Sequence, residues 1–353
     1  MKPRDRILKS LSHETPDRVP LFYRDVPEVG RRLESDLGVG SRDELLELLQ
    51  IDFRWVEPRY VGPPLEDPST GHRRNIWGVE YRYLEAGHGG HWEPVAFPLA
   101  DIEDAAVLED YPWPRLDWFD FSVLKEQVGR YDDYALMTAP GVASPGVLTV
   151  IQDLLGMEET LLAMKLRPEF FLTLVEHVLR FNLALIEKMH EEAAGRIDFF
   201  RIGDDFGTQR GLLFSIEDWK KFCRPTLVAM SSAARRFGAR YYHHTCGAVR
   251  SLIPHLIECG VEVLDPIQVK ATGMAPAELK ADFGDRLCFS GGVDEQELLR
   301  NGSPDDVRRG VRELLDEMAP GGGFFVGPTH NFQADIPTEN IMAMYESAGS
   351  WRY

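Results

Sequence analysis

The stretch "ARYYHHTCGAVRSLIPHLIECGVEVLDPIQ", residues 239–268, decides the fold of this chain. Its two ends, "ARYYHHTCG" and "VEVLDPIQ", are short and rich in aromatic or β-branched residues, which is typical of strands. The segment between them, "VRSLIPHLIECG", has the pattern of a helix that ends at Gly260, although Pro254 interrupts it. A strand, a helix and a second strand in this order predict two parallel strands joined by a helical crossover.

The same alternation continues on both sides of this stretch. Further strands are predicted at residues 134–140, 196–205, 286–294 and 324–331. Further helices are predicted at residues 167–195, 215–238, 275–284, 303–323 and 337–350, and Pro225 divides the second of these into two. About five successive strand–helix repeats indicate a parallel sheet with helices outside it.

Two architectures share this pattern, a closed barrel and a doubly wound open sheet. No G-x-G-x-x-G motif follows an early strand, which weighs against a dinucleotide-binding sheet. We therefore predict an α/β fold in which residues 1–353 form a single (β/α)8 TIM-type barrel. Residues 126–353 would supply the regular repeats. Residues 1–125 would form an irregular N-terminal extension, with short strands and long loops, that contributes to the pocket.

The composition excludes some partners and favours one compartment. The chain has 353 residues, a formal net charge of -18 and no lysine- or arginine-rich run, so nucleic acid is a poor partner. It has no apolar run of membrane-spanning length and no signal-peptide pattern at its start. With only four cysteines, the chain is expected to be cytoplasmic, with reduced thiols. Its expected partner is a small-molecule substrate.

Polar residues collect where the predicted strands end. In a barrel of this type the chemistry takes place at the C-terminal ends of the strands. Five successive ends are polar or rich in glycine. They are Gly203-Asp204-Asp205, His243-His244-Thr245-Cys246, Asp265-Pro266-Ile267-Gln268, Gly291-Gly292-Val293-Asp294 and Pro328-Thr329-His330-Asn331. Because these ends share one face of the barrel, their coincidence predicts a functional site there.

His244 and Cys246 form an H-x-C pattern that is typical of a metal site. Residues two apart on a strand point to the same side, so the imidazole and the thiol can share one ion. This pair of ligand types favours zinc, and a catalytic zinc needs three protein ligands and an open position. The alternative is a buried cysteine beside a hydrogen-bonded histidine. His243 should face the opposite side and serve the structure.

The residues alone leave the third ligand open. His330 is the best candidate, and Asp204, Asp205, Asp294 and Cys288 are alternatives. Cys288 lies inside its predicted strand, which is more typical of a core thiol.

Two neighbouring carboxylates are the predicted catalytic residues. Asp204 or Asp205 would orient a metal ligand or bind the substrate, and at least one should face the pocket. The alternative is a loop in which one aspartate caps the next helix. Gln268, Asp294 and Asn331 are predicted to bind the substrate.

Several motifs together resemble the uroporphyrinogen decarboxylase superfamily. They are "RDRILKSLSHETPDRVPL" (4–21), "YPWP" (111–114), "RIGDDFGTQRGLLFS" (201–215), "HHTCGAV" (243–249), "VLDPIQ" (263–268), "FSGGVD" (289–294) and "PTHNFQADIPTENI" (328–341). The similarity extends over the full length, and it implies a (β/α)8 barrel.

The resemblance implies one of two chemistries. True uroporphyrinogen decarboxylases have an R-Q-A-G-R motif after the first strand, and this chain has "FYRDVPEVGRR" (22–32) there. The cobamide-dependent methyltransferases of the superfamily bind zinc with H-x-C and a distant cysteine. Their cysteine lies nine positions before the glutamate of a P-x-E-N helix start. Counting back from Glu339 gives His330, so a histidine replaces that cysteine here.

The resemblance therefore implies a methyltransferase that uses zinc. It would move a methyl group between a corrinoid, carried by a small corrinoid-binding protein, and a small molecule. His244, Cys246 and His330 would hold the metal. A metal-free carboxy-lyase on the same barrel is the second hypothesis, and it predicts a pocket rich in Arg or Lys. A non-catalytic tetrapyrrole- or corrinoid-binding protein is the third.

Overall fold

The computed structural model of the chain describes residues 1–67, 71–86, 89–139 and 146–353. The last residue of the strand predicted at 134–140 lies outside these residues. In chain order the strands are β1 (Phe53–Val56), β2 (Arg59–Tyr60), β3 (Glu66–Asp67), β4 (His72–Arg74), β5 (Glu80–Ala86), β6 (Gly89–Ala96), β7 (Phe119–Asp120), β8 (Ala135–Thr138), β9 (Phe199–Gly203), β10 (Arg240–His244), β11 (Val263–Ile267), β12 (Cys288–Val293) and β13 (Phe324–Pro328).

Helices follow most strands of the second half. The α-helices are α1 (Pro3–Leu11), α2 (Pro27–Leu37), α3 (Arg42–Leu48), α4 (Val123–Arg130), α5 (Val147–Leu155), α6 (Met157–Leu166), α7 (Pro168–Glu192), α8 (Ile216–Phe222), α9 (Arg224–Arg236), α10 (Ile253–Glu258), α11 (Pro276–Phe283), α12 (Leu298–Asn301), α13 (Pro304–Met318) and α14 (Thr338–Ser350). Short 3₁₀ turns cover Ala105–Glu109, Leu116–Trp118 and Arg250–Leu252. In the described residues, no helix has the length and apolar character needed to cross a membrane.

Seven strands form one curled parallel sheet in the order β1-β8-β9-β10-β11-β12-β13. The predicted parallel α/β architecture is thereby confirmed. In the register of the sheet, His244 at the end of β10 pairs with Gly203 of β9 and with Asp265 of β11. The strand ends of the predicted site therefore lie side by side.

The segment around Leu21 lies between the two edges of this sheet. Phe22 N–H donates to the Val326 carbonyl of β13 at 2.9 Å, and Val326 N–H donates to the Pro20 carbonyl at 2.9 Å. On the other side, Asp52 N–H, just before β1, donates to the Leu21 carbonyl at 3.1 Å. The chain before the first sheet strand thus bonds to the last strand of the sheet and to the residue that precedes the first strand.

The starts of the strands supply a closely packed aromatic interior. Phe22, Phe53, Phe199, Tyr242 and Phe325 are all buried in one cluster, which Ile7 of α1 also joins. Cys288, the first residue of β12, lies in the same cluster and is the core thiol that its position predicts. Because apolar side chains fill this end of the sheet, a cavity can form only towards the opposite strand ends.

Local signals explain most helix boundaries. Ser303 begins α13 with a capping box, in which its hydroxyl accepts from Asp306 N–H and the Asp306 carboxylate accepts from Ser303 N–H. The division predicted at Pro225 is present, since α8 ends at Phe222 and α9 begins at Arg224. The single helix predicted at 249–260 is instead a 3₁₀ turn followed by α10, because Pro254 suits a first helical turn and not an interior.

The irregular N-terminal part adds two small antiparallel sheets. Strands β3, β4, β5 and β6 form a four-stranded sheet, and β2 pairs with β7. The four-stranded sheet, called the small sheet below, spans residues 66–96. It contributes side chains to the cavity described next.

Candidate metal centre

The predicted ligands His244, Cys246 and His330 meet beyond the ends of β10 and β13. Their ligand atoms all lie within 4.8 Å of one another. Cys246 is not part of β10, which ends at His244, but its Sγ lies 3.5 Å from His244 Nε2. In a tetrahedral zinc site, bonds of about 2.0–2.3 Å separate the donor atoms by about 3.5 Å. The imidazole and the thiol therefore already stand at the spacing that zinc requires.

Asp265 fixes the orientation of the His244 ring. Its Oδ2 lies 2.7 Å from His244 Nδ1, so Nδ1 carries the proton and Nε2 faces the other ligands with a free lone pair. Asp265 is fully buried and also accepts from Arg24 Nη1 at 2.8 Å and Arg201 Nη2 at 3.5 Å. Burial alone would raise the pKa of Asp265, but Arg24, His244 and Arg201 outweigh it and keep the pKa well below its usual range. The carboxylate is therefore held ionised.

The two histidines are prepared in the form that binds a metal. Burial lowers the pKa of His244, with a further contribution from Arg201. Burial likewise lowers the pKa of His330 to about 4. Both imidazoles are thus neutral near pH 7, as a ligand must be. Burial raises the pKa of the Cys246 thiol, so metal binding there has to displace a proton.

The carboxylates of Asp204 and Asp205 face different surroundings. The side chain of Asp205 is 52% exposed, and its Oδ1 accepts from Cys246 N–H at 2.7 Å and lies 3.9 Å from His244 Nε2. Asp204 is buried and accepts from Val147 N–H at 3.1 Å and Thr149 N–H at 2.8 Å. It therefore caps the start of α5, and burial raises its pKa to about 7. Only Asp205 faces the candidate site.

Of the three predicted substrate-binding residues, the structure places one in the cavity wall. Asn331 lines the cavity. Gln268 instead accepts from Gly247 N–H at 2.7 Å and so fixes the backbone just after Cys246. Asp294 accepts from Gln296 N–H at 3.1 Å and holds the turn before α12. Both side chains are used by local backbone donors, which a pattern of polar strand ends does not distinguish from substrate contacts.

A cavity of about 630 Å³ opens above the candidate metal centre. Its wall has three sources: the strand ends of the large sheet with the Arg24 segment, helix α5, and the small sheet with the residues beside it. The lining residues are Arg24, Trp55, Leu65, Glu66, Arg73, Arg74, Asn75, Ile76, Trp77, Tyr81, Gly146, Thr149, Val150, Asp153, Arg201, Gly203, Asp205, His244, His330 and Asn331.

Sequence reasoning missed the charged residues that support the ligands. Arg24 comes from far along the chain, and its Nη1 lies 3.2 Å from His244 Nδ1 as well as contacting Asp265. Arg201 reaches the same carboxylate from β9. Asp265 stands within "VLDPIQ", and its role could have been found from the expectation that a metal-bound histidine donates its second N–H to a carboxylate on a neighbouring strand.

The comparisons with known proteins agree with this architecture. The family model of uroporphyrinogen decarboxylase (URO-D) matches residues 100–351, and the chain therefore belongs to this family. The resemblance stated from the sequence motifs is thereby confirmed at the level of the family. No curated protein matches the chain.

Among solved structures, the chain is similar to a methyltransferase from Methanosarcina mazei. The two are 18% identical, the match covers 99% of this chain and 98% of that chain, and the TM-score is 0.69. This likeness shows a shared fold over the whole chain. A 3-keto-D-glucoside 4-epimerase from E. coli is more distant, with 13% identity, coverage of 65% of this chain and 84% of that chain, and a TM-score of 0.40.

Proposed function

We propose that the chain is a zinc-dependent methyltransferase of the URO-D family. It would move a methyl group between a corrinoid, carried by a separate small protein, and a small molecule bound in the cavity. One observation carries the metal part of this proposal: two imidazoles that line the cavity and a thiol converge within 4.8 Å. The corrinoid and the methyl group are supported by the resemblance of "HHTCGAV" and "PTHNFQADIPTENI" to the methyltransferase motifs.

We also infer that the sheet closes into a (β/α)8 barrel, with the Leu21 segment in the eighth strand position. The hydrogen bonds of that segment to β13 and to the residue before β1 support this closure. Closure has a consequence for the site. It carries Arg24, which follows this segment, to the ligand-bearing strand ends, where it meets Asp265.

The residues around the ligands would each have a defined task. Zinc bound there would act as a Lewis acid that lowers the pKa of the acceptor atom of the substrate. Asp265 holds His244 in one tautomer and one orientation. Asp205, which is exposed beside the ligands, is placed to take the proton that the acceptor loses.

The ligand set bears on the choice of acceptor. One thiolate and two neutral imidazoles offset one of the two charges of zinc, whereas two thiolates offset both. A thiol on the more positive site would lose its proton more readily, but its sulfur would be a weaker nucleophile. We therefore propose that the methyl acceptor need not be a thiol and that an alcohol, water or another non-thiol group can serve.

The test measures metal and methyl transfer in the same preparations. The parent protein should contain about one zinc per chain, and Cys246→Ala should contain none while remaining folded. With methylcobalamin as the methyl source, the parent should consume the methyl–cobalt absorbance in the presence of an acceptor and Cys246→Ala should not. Cys288→Ala, a buried thiol in the aromatic interior, is the matched control and should keep its zinc. Full zinc in Cys246→Ala, or none in the parent after zinc is offered, would refute the ligand assignment.

A metal-free carboxy-lyase is the second candidate, because four arginines line the cavity. Two of them, Arg24 and Arg201, already bind Asp265. Arg74 forms an ion pair with Glu80 at 3.3 Å, and Arg73 lies over the Trp92 ring at 4.2 Å. In the described residues Arg73 is the only one of the four without a carboxylate partner within ion-pair distance. One available arginine is few for a substrate with many carboxylates. Release of CO₂ from uroporphyrinogen by the zinc-free protein would favour this candidate.

A further inference from the structure

A second polar cluster lines the cavity and takes no part in the candidate metal centre. Asn75, between β4 and β5, and Tyr81 of β5 come from the small sheet, and Asp153 comes from α5. Tyr81 Oη donates to Asp153 Oδ2 at 2.8 Å. Asn75 Nδ2 donates to the same oxygen at 3.4 Å and to Tyr81 Oη at 3.2 Å. The three side chains therefore form one hydrogen-bonded unit.

The donors and acceptors of this unit are nearly all used. Asn75 Oδ1 accepts from the backbone N–H groups of Trp77 at 2.9 Å and Val79 at 3.1 Å, which fixes the orientation of its amide. The single proton of Tyr81 Oη is donated to Asp153. No described residue donates to Asp153 Oδ1. The one open position of the unit is therefore an acceptor, a carboxylate oxygen in the wall of the cavity.

An acceptor that is open to a partly buried cavity selects its ligand. Burial raises the pKa of Asp153, which means that its charged form lacks part of the hydration it would have in water. A ligand donor would restore that interaction, whereas a carboxylate or phosphate would place acceptor against acceptor. Trp77 is buried beside the cluster and, with Trp55, gives the cavity an aromatic surface for the body of the ligand.

We propose that Asp153 Oδ1 binds a hydrogen-bond donor of the substrate, an ammonium or a hydroxyl group. The inference rests on the proposed function in one respect, that the ligand of this cavity is the substrate of the metal centre. It defines a class of substrate: an apolar or aromatic body with a donor group. Asn75 and Tyr81 act through Asp153 and are positioning residues.

The test uses three probes that differ in one group: benzylamine, benzyl alcohol and benzoate. Their binding to the full chain is measured by ligand-observed NMR, with zinc content determined in the same samples. The parent should bind benzylamine or benzyl alcohol more tightly than benzoate. A preference for benzylamine identifies an ammonium as the donor, and a preference for benzyl alcohol identifies a hydroxyl.

Asp153→Asn tests the orientation argument directly. Tyr81 and Asn75 both donate to Oδ2, so the amide oxygen must take that place and the amide NH₂ must point into the cavity. The variant should bind benzylamine about tenfold more weakly, because an ammonium cannot accept from the amide NH₂, and should bind benzoate more tightly than the parent does. Benzyl alcohol should lose less affinity, because its oxygen can accept. Tyr81→Phe keeps the carboxylate but removes one of the two donors to Oδ2, so it should weaken benzylamine binding less than Asp153→Asn does and should not tighten benzoate binding.

The outcomes separate this inference from the proposed function. Zinc content should not change in Asp153→Asn, and Cys246→Ala should lose zinc while keeping the parental order of the probes, which also excludes binding of the probes to the metal. The inference is overturned if the parent prefers benzoate, or if folded Asp153→Asn loses no affinity for benzylamine relative to benzoate. Loss of the metal assignment alone leaves it standing.

Discussion

The two polar walls of the cavity are built in different ways. The large-sheet wall, formed by the ends of β10, β11 and β13 with Arg24, surrounds His244 with a fully buried carboxylate and two buried arginines. The small-sheet wall, formed by Asn75 and Tyr81 against Asp153, surrounds one carboxylate with neutral donors. Buried ion pairs hold a geometry strictly, since a misplaced partner leaves an uncompensated charge. A neutral cluster with one open acceptor is better suited to selecting a ligand.

The register of the sheet explains why the large-sheet wall can hold such a network. His244 is paired with Asp265 across β10 and β11, and its main-chain neighbours come from regular strands. Functional groups on regular elements are held more closely than those on loops. The small sheet, by contrast, gives only two side chains to its cluster, and one of them, Asn75, lies between β4 and β5 and not on a strand. The comparison predicts that changes in the large-sheet wall affect the metal and changes in the small-sheet wall affect the binding of the small molecule.

The largest expected effect separates two neighbours on one strand. His244→Leu should abolish zinc binding, because it removes a ligand whose Nε2 faces Cys246. His243→Leu is the matched control. It lies on the opposite side of β10, where it is fully buried and stacked on Phe206 with its Nε2 unpaired among the described residues. It should keep about one zinc per chain. Elemental analysis of both purified variants provides the measurement. Equal zinc content in the two would contradict the assignment of His244, and not His243, as a metal ligand.

The next largest effect concerns the Asp265 carboxylate, which holds the ring of His244. Asp265→Asn should weaken zinc binding by about 10- to 100-fold, because the ring of His244 loses the charge that fixes its tautomer. Competition with a chelator of known affinity measures this change. Asp294→Asn, at the end of a neighbouring strand but bonded only to local backbone and near Lys270, should keep the parental affinity.

Because Asp265 also neutralises Arg24 and Arg201, the fold of Asp265→Asn has to be checked by thermal unfolding. A variant that unfolds cooperatively and binds zinc with the parental affinity would show that the buried charges of the large-sheet wall do not affect zinc binding by His244.

The regular half of the fold could be predicted from local sequence. The helix predicted at 167–195 is α7, which begins at Pro168, and the helix predicted at 337–350 is α14. Helix caps, prolines and strand-like runs are encoded within a few residues of each boundary. The place of the Leu21 segment could not be predicted, because its partners in β13 lie some three hundred residues away and pairing between distant segments leaves no local signal. The sequence predicts the small sheet only as short strands and loops, although its strands pair with their neighbours along the chain.

The candidate site, like the fold, could be predicted where its residues share a local motif. His244 and Cys246 stand in one motif, so their spacing alone suggests a shared ion. His330 was chosen as third ligand by position in a motif, and the structure brings it to the other two. The charged residues behind these ligands could not be predicted. Arg24, for example, contacts His244 although 220 positions of sequence separate the two. Asp204 and Asp205 looked equivalent as neighbours, yet one caps a helix and the other faces the cavity, since successive residues point in different directions.

The smallest expected effect is on stability. It tests whether the open carboxylate of Asp153 in the small-sheet wall makes the folded protein less stable. Burial raises the pKa of Asp153 above its usual 3.8, so its ionised form is less favourable in the folded protein than in the unfolded chain. This cost is fully present above the folded pKa, shrinks as pH falls through it, and is absent below 3.8, where both states are protonated. Asp153→Asn lacks the charge and can still accept from Tyr81.

At neutral pH, Asp153→Asn should therefore be at least as stable as the parent, by about 1 kcal/mol or less and about 2 °C in Tm. The gain should disappear as the pH is lowered towards 3.8. Thermal unfolding at several pH values measures both trends. A Tm several degrees below the parental value at neutral pH would show instead that the carboxylate holds the small sheet in place. Stabilisation would mean that the small-sheet wall retains an under-hydrated acceptor at a cost to the fold, which is expected where a group is kept for its ligand.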